Sequence, residues 1–377
     1  MQVTCVRDVE GFAALRDRWQ PLLNRSQPNH VFMTWEWLFT WWEHFGQGRE
    51  LFVLLVEDKG EVIGILPLML CIHDDRYMSK VRSLHFIGYR SIQRWNDWMD
   101  IIAVRKKEVI QTALEYLRER QSMWDYLDLW DVPEDSDTIG ILSDLASQLG
   151  LLVQKQSIST CPYVPTTSDW QSYYRSFRAK RITGDPERQI RRLSARGELK
   201  IHCAEDSDLM VNLHALFDLH QRRQPMRHQS STFSQEVYCK FYCALAHVFP
   251  WNWLDCSALK LNGKAIAVHF GFRYNHKFYW CTPAFDPDYA AFSPGKVFLK
   301  ALIETCFAND EILEFDFLVG KEPYKYEWTT LERHGYRILV GNTYMSGLVG
   351  KIVRRIPLYA RRSLMNGRSG TLGLHAQ

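Results

Sequence analysis

The sequence predicts a mixed α/β protein made of two tandem units of related plan, and three observations carry that expectation. Its 377 residues exceed what one core usually spans. β-rich runs alternate with helix-period runs in both halves. Two hairpin signals, Asp58-Lys59-Gly60 and Asn262-Gly263, open corresponding stretches. Setting Gly60 against Gly263 brings Val62-Ile63-Gly64 onto Ala265-Ile266-Ala267, a weak internal duplication.

In chain order, the run after Thr34 reads as a helix with Thr34 as its N-cap, and Leu38, Trp41, Trp42 and Phe45 fall on one face. An aromatic core or a face between units accounts for that stripe, with a substrate wall, extended by Trp37, as the other reading. "LFVLLVEDKGEVIGILPLML" gives a hairpin, and "WMDIIAV" a strand leading into the helix "KKEVIQTALEYLRER". "WDYLDLWDVPED" is a strand and "TIGILSDLASQLG" a helix stopped by Gly150. "CPYVPTTSDW" marks a boundary before a helix at Trp170. The expected units are therefore residues 1–165, residues 166–345 and a basic tail, 346–377. The second unit repeats the plan: the hairpin at Asn262-Gly263, a further strand, the helix opened by Ser293-Pro294-Gly295, and the acid-bearing strand of "EILEFDFLVGKEPY".

Composition narrows the function classes. Apolar residues make up 46% and charged residues 24%, the balance of a folded soluble protein. The charged N-terminus shows no secretory signal, and no apolar run is long enough to span a bilayer, so a cytoplasmic protein is expected. Nine scattered cysteines without a CxxC pair argue for reduced, buried thiols and against zinc, so no metal is expected. The net charge of +3 hides an uneven distribution. Arg175 to Lys200 holds nine Lys/Arg against three acids, and the chain from Arg333 onward holds eight and none. A basic belt and tail on an acidic body suit anionic partners: nucleotide phosphates, a lipid surface or RNA. In the tail, Leu348, Val349, Ile352, Val353 and Ile356 gather opposite Lys351, Arg354 and Arg355, the pattern of an interfacial helix. Peripheral attachment to an anionic inner leaflet is the working expectation there, with docking onto the body as the alternative.

The stretch "AAFSPGKVFLKALIE" carries the first chemical signal. A Walker A loop is excluded, because no glycine stands where the pattern requires one and Val297 replaces the hydroxyl residue. What remains is a strand, a glycine-bearing turn and a helix start, a geometry suited to a pyrophosphate and equally to ordinary capping. Asp316 in "EFDF" is either a raised-pKa base or a satisfied acceptor at a strand end. Tyr324 in "EPYKYEW" is a candidate acid for a leaving thiolate or a packed loop tyrosine. Lys325 is a phosphate or acceptor contact or a solvated charge. His269 on "AIAVHFGF" and His220 after "LFDL" are candidate bases or packed histidines. No Ser-His-Asp or Cys-His order stands out, which disfavours a covalent acyl-enzyme.

These segments, "AFDPDYAAFSPGKVFLKALIE" and "LEFDFLVGKEPYKYEW" with "FMTWEWLFTWWEHFG" and "YLDLWDVPEDS", resemble the tandem GNAT-fold acyltransferases of the CelD-like type, a family related to the Fem-type aminoacyltransferases. "LFDLHQRR" and "RQIRRLSARGELKI" add weaker matches, and the resemblance spans about residues 30 to 335. It implies two GNAT-like units, with a splayed strand pair that admits pantetheine. The family's pyrophosphate turn maps onto Ser293, Pro294, Gly295, Lys296 and Val297. The usual Gln/Arg-x-x-Gly-x-Gly/Ala loop is reduced here to Pro294-Gly295, which leaves the donor open between acyl-CoA and acyl carrier protein. The first unit has no equivalent turn and reads as a structural or acceptor-binding half. Arg191 and Arg192 of the belt, with His220 and Lys325, are the expected acceptor or phosphate contacts. Asp316, Tyr324 and His269 are the catalytic candidates.

Direct acyl transfer to an amine requires a base, donors for the developing oxyanion and an acid for the leaving thiolate. The leading expectation is an N-acyltransferase acting on an envelope saccharide precursor or lipid, such as an amino sugar or long-chain base. The alternatives are a non-catalytic GNAT-fold subunit of an exopolysaccharide-synthesis assembly, and Fem-like aminoacyl transfer from tRNA. Nucleic acid is the less favoured partner, because no aromatic-interleaved module is present.

Overall fold

The computed structural model describes residues 1–73, 80–89, 98–178, 185–202, 208–223 and 231–342. The interfacial helix expected in the tail lies outside the described residues.

The first half runs β1 (Gln2–Val6), α1 (Val9–Ala13), α2 (Arg16–Asn24), α3 (Trp35–Phe45), β2 (Glu50–Leu51), β3 (Val53–Asp58), β4 (Glu61–Leu66), β5 (Leu68–His73), β6 (Val81–Phe86), β7 (Ile102–Ala103), α4 (Lys106–Glu119), β8 (Tyr126–Pro133), α5 (Thr138–Gln148) and β9 (Leu152–Pro165). The second continues with α6 (Trp170–Arg178), α7 (Pro186–Ser194), β10 (Leu199–His202), α8 (Leu209–Arg223), α9 (Glu236–Val248), β11 (Leu254–Asp255), β12 (Ala258–Leu261), β13 (Lys264–Tyr274), β14 (Lys277–Phe285), α10 (Pro294–Phe307), β15 (Glu314–Asp316) and β16 (Glu332–Gly341). The mixed α/β expectation holds.

Local chemistry places these elements. Thr34 caps α3 by accepting from the Trp37 amide. Both hairpins turn through two residues of positive φ, Lys59-Gly60 and Asn262-Gly263, the primed geometry that matches strand twist. Gly150 at φ +74° ends α5. One strand is shorter than its apolar run suggests: of "WMDIIAV", only Ile102–Ala103 pairs. Asp100 explains the difference. Its fully buried carboxylate accepts from the Ile101 amide, Lys106 Nζ (3.0 Å), Ser136 Oγ and Thr138 Oγ1, bonds that replace a strand ladder.

A four-stranded sheet has the order β1-β3-β4-β7, and a twelve-stranded sheet runs β10-β12-β13-β14-β15-β9-β16-β8-β6-β5-β2, with β11 on β13. β9 joins the halves in that larger sheet. Its last residues pair with β15, Val164 opposite Phe315, and its earlier ones with β16. β16, the last described strand, lies between β9 and β8 and so among strands of the first half. There Arg337 makes a buried two-pronged bond to Asp128 of β8, Nε–Oδ1 2.6 Å and NH2–Oδ2 2.8 Å. Aromatic contacts close the junction. Trp37 and Phe32 meet Phe272 of β13, and Trp37 and Phe45 meet Phe241 of α9. The stripe on α3 is thus a face between the halves.

Arg337→Met leaves the Asp128 carboxylate buried without its cation. The expected loss is about 3–5 kcal/mol in urea unfolding, with Arg337→Met/Asp128→Leu recovering most of it.

Candidate active site

The site begins where two parallel strands part. β14 and β15 pair over three positions only, Lys277↔Glu314, Phe278↔Phe315 and Tyr279↔Asp316. Beyond them β14 continues to Phe285, while the other chain turns away at Leu318, whose φ is +57°. Into this V opens a cavity of about 810 Å³. One wall is Trp280 to Phe285 of β14, the other Phe317 to Gly320 with Glu322, Tyr324 and Lys325. Ser293, Gly295 and Lys296 stand at its mouth, and His220, Arg223 and Phe233 flank it on the α8–α9 side. Phe32 and Trp37 of the first half reach the same cavity, so Trp37 serves both readings given for its helix.

The strands that shape the V are held from beneath. Two residues of β14, Trp280 and Cys281, oppose the single Gly271 of β13, a bulge. A Cβ on Gly271 would sit 2.1 Å from the Tyr279 carbonyl and 2.4 Å from the His269 ring, so only glycine fits. His269 stacks on Trp280 at 4.3 Å between centroids. Its Nε2 accepts from the Cys281 amide (3.1 Å), which leaves Nδ1 as the donor to Asp255 (3.2 Å). Burial lowers the imidazole below its ordinary 6.5 despite the carboxylate beside it. Burial raises Asp255, but the His269 hydrogen bond and the Arg273 charge outweigh it and hold the carboxyl at about 2. His269 is therefore a neutral, fully buried clamp on the bulge and does not line the cavity.

Asp316 lies at the apex of the V, fully buried and outside the cavity lining. Its oxygens accept from Trp98 Nε1 (3.0 Å) and the Leu318 amide (2.8 Å). The second bond fixes the bend at which β15 leaves β14. Lys325 is 3% exposed, and its ammonium donates to the carbonyls of Leu318 (3.2 Å) and Val319 (2.9 Å) and pairs with Glu322. These bonds use all three donors, so the lysine holds the loop after the bend.

Within the cavity, the Tyr324 hydroxyl accepts from Trp280 Nε1 (3.2 Å), and His220 Nδ1 meets Ser231 Oγ at 2.8 Å. Thr282 Oγ1 and the Tyr242 hydroxyl are bonded at 2.7 Å. At the mouth, Ser293 adopts φ +48° and its side chain makes no cap bond. Its carbonyl takes the amides of Lys296 and Val297, Pro294 has no N–H, and Lys296 Nζ pairs with Glu327 at 2.7 Å. Of the first helix amides that the sequence leaves unpaired, this turn therefore presents that of Gly295. Val297 and Pro294 are buried in the α10 packing. Arg192 donates to the Ala291 carbonyl (3.1 Å) and lies over Phe292, directly before the turn, whereas Arg191 is exposed beside Asp185.

Tyr324, His220, Lys325, Ser293, Gly295 and Lys296 thus converge on one cavity. Asp316 and His269 lie behind its walls. Sequence reasoning passed over Trp280, Thr282, Arg223 and Trp98. Pro283 was the available signal, because a proline inside an apolar strand marks an incomplete ladder, and here it falls where β15 has departed.

The strand pair splayed beside a helix-start turn lies within the stretch for which comparison with known proteins finds a family model. Residues 182–326 match the family model described as Acetyltransferase (GNAT) domain. Among solved structures, FemX superposes with a TM-score of 0.61 at 11% identity, over 93% of this chain and 100% of that one. A conserved protein of unknown function from Bacteroides thetaiotaomicron gives 0.55 at 10% identity, over 90% and 100%. The C-terminal domain of a putative lysylphosphatidylglycerol synthetase from Agrobacterium fabrum gives 0.52 at 10%, over 92% and 97%. At these identities the likeness is one of fold. No curated protein sequence matches the chain. Among the described residues there is no group of three metal-ligating side chains, and no helix is long and apolar enough to cross a membrane.

The buried histidines give a pH signature. Folded His269 and His30 both lie below 6.5, so the unfolded chain binds more protons as pH falls through that value. Unfolding free energy is expected to rise with pH from 5 to 7, and His269→Asn to reduce that slope, as read by urea titrations at successive pH values.

Proposed function

We propose that the chain is an N-acyltransferase that moves an acyl group from a phosphopantetheine thioester, of CoA or of an acyl carrier protein, to an amine on an envelope saccharide precursor or lipid. The opening between β14 and β15 beside the α10 turn carries this reading: it is a slot with a polar mouth, long enough to line with six residues of one strand. The thioester supplies an activated carbonyl. The residues suit the rest of the transfer. His220, lining the α8–α9 side, takes the proton that the attacking amine loses. Tyr324, oriented by Trp280, gives a proton to the departing sulfur. As the C–N bond forms and the C–S bond breaks, proton and charge are balanced between these two groups. Asp316, Lys325 and His269 act by holding the walls, and Phe32 and Trp37 bring the first half to the acceptor side. Amphipathic patterning of residues 346–356 supports a lipid-associated acceptor and peripheral attachment to the inner leaflet.

Release of free thiol from acyl-CoA or acyl carrier protein, followed with a panel of amino sugars and long-chain bases, tests the reading. Tyr324→Phe and His220→Ala are each expected to lower kcat by about 10²-fold, with KM for the thioester little changed. Failure of every donor, carrier-protein thioesters included, to release thiol, or release indifferent to both substitutions, counts against the assignment.

A further inference from the structure

We infer that the thioester donor is carried on an acidic carrier protein, which docks on the arginine ridge of α6 and α7 while its phosphopantetheine arm enters the V. The inference rests on the acyl-transfer reading and narrows its donor.

The mouth is built for one phosphate and poorly for several. The segment from β14 to α10 turns its own amides inward: Asp288 N–H bonds the Asp286 carboxylate, Tyr289 N–H the Asp286 carbonyl, and Ser293 N–H the Ala290 carbonyl. Residues 287–292 form a 3-10 turn, and Pro287 and Pro294 have no N–H. The Gly295 amide and the exposed Ser293 hydroxyl remain on the rim. Among the described residues of this segment, successive amides converging on an anion, the arrangement that holds a pyrophosphate, are missing. Lys296 is already paired with Glu327, and Arg222 and Lys264 share Asp286. Arg223, over Phe285, adds one cation on the α8 side. Among the described residues this set suits a single phosphodiester better than the pyrophosphate and 3′-phosphate of CoA.

Cationic surface runs along α6 and α7, and Arg192 and Arg196 bring it to the mouth. Arg175, Arg188, Arg191, Arg192 and Arg196 are exposed on or directly after α6 and α7. α7 packs against α10 through Leu193 and the Lys300–Glu187 contact, and Arg192 and Arg196 both lie over Phe292, next to Ser293. Arg175, Arg188 and Arg196 make no ion pair among the described residues. A row of exposed guanidinium groups, with Arg192 and Arg196 next to the one-phosphate slot, complements an acidic protein surface whose arm carries one phosphate. RNA would meet the same charge, but the described ridge presents no exposed aromatic ring for base stacking. In the transfer, the arm's C–S bond breaks, the amine's C–N bond forms, and the arm leaves as a protonated thiol on the carrier.

Binding of three probes to the full chain decides the matter: octanoyl-loaded acyl carrier protein, octanoyl-CoA and octanoyl-phosphopantetheine, each followed by fluorescence anisotropy. The carrier is expected to bind at least about tenfold more tightly than octanoyl-CoA and to weaken with added salt. Arg175→Glu/Arg188→Glu should remove that advantage and leave the phosphopantetheine probe unchanged, with R175Q/R188Q giving a smaller loss. Octanoyl-CoA binding as tightly as the carrier, or a charge reversal without effect, would overturn the inference while leaving acyl transfer intact. Retention of transfer RNA in place of the carrier would overturn it in favour of a nucleic-acid donor. If none of the three thioesters binds, the acyl-transfer reading fails along with it.

Discussion

Three paired residues govern the rest of this molecule. Had β15 followed β14 along its whole length, the sheet would be closed and there would be no cavity. The separation is enforced by a buried carboxylate that must be satisfied where it lies. Asp316 takes the indole N–H of Trp98 from one side and the Leu318 amide from the other. The second bond draws that amide away from the strand ladder, and the left-handed Leu318 turns the chain aside. Lys325 then fixes the carbonyls of Leu318 and Val319 at the turn. The opening is thus held by polar groups that could not be left unpaired, and its width does not depend on a ligand.

The two halves show what that constraint decides. In the first, β6 and β8 also run parallel, pairing at Ser83↔Tyr126 and Leu84↔Leu127 before they part. There, however, His85 Nδ1 bridges to the Asp128 carbonyl at 3.1 Å, and the chain's own Met99 amide bonds Asp131. Side chains and a returning segment occupy what remains open in the second half. Pro67 has a parallel effect on the sheets. It divides the strand that corresponds to β13 into β4 and β5, which join different sheets. The parallel pair of the first half is thus bridged where the β14–β15 pair opens.

Much of this was legible in the sequence, and the reasons are local. Hairpins announce themselves by Lys59-Gly60 and Asn262-Gly263, and α3 by Thr34, because turn and cap chemistry depends on neighbours in the chain. Tyr324, His220 and the Ser293 turn stand out one by one, by residue type and by resemblance, and their meeting at one cavity is visible only in the fold. The roles of Asp316, His269 and Lys325 were not legible. All three are charged or titratable residues, at a strand end, within a strand and in a loop turn, and only their partners, Trp98, Asp255 with Cys281, and the Leu318 and Val319 carbonyls, distinguish holding a wall from facing a substrate. Trp98 is 218 residues from Asp316, beyond any window of sequence. The partners of His269 and Lys325 are nearer in the chain, but a strand bulge and a left-handed turn bring them into reach, and neither shows in the residue pattern. The length of β15 was hidden for the same reason: "EILEFDF" has the pattern of a longer strand, and the carboxylate cuts it short.

The position of β16 has a consequence for how the chain is made. Residues 332–341 complete the ladder between β8 and β9, whose facing edges have no other partner there. As the polypeptide is synthesised, the first 165 residues emerge with that gap in their sheet, and it stays unfilled until the ribosome has added nearly two hundred more. During this interval the two strand edges that β16 later pairs are available to any other nascent chain. The first half therefore matures last, although it is made first.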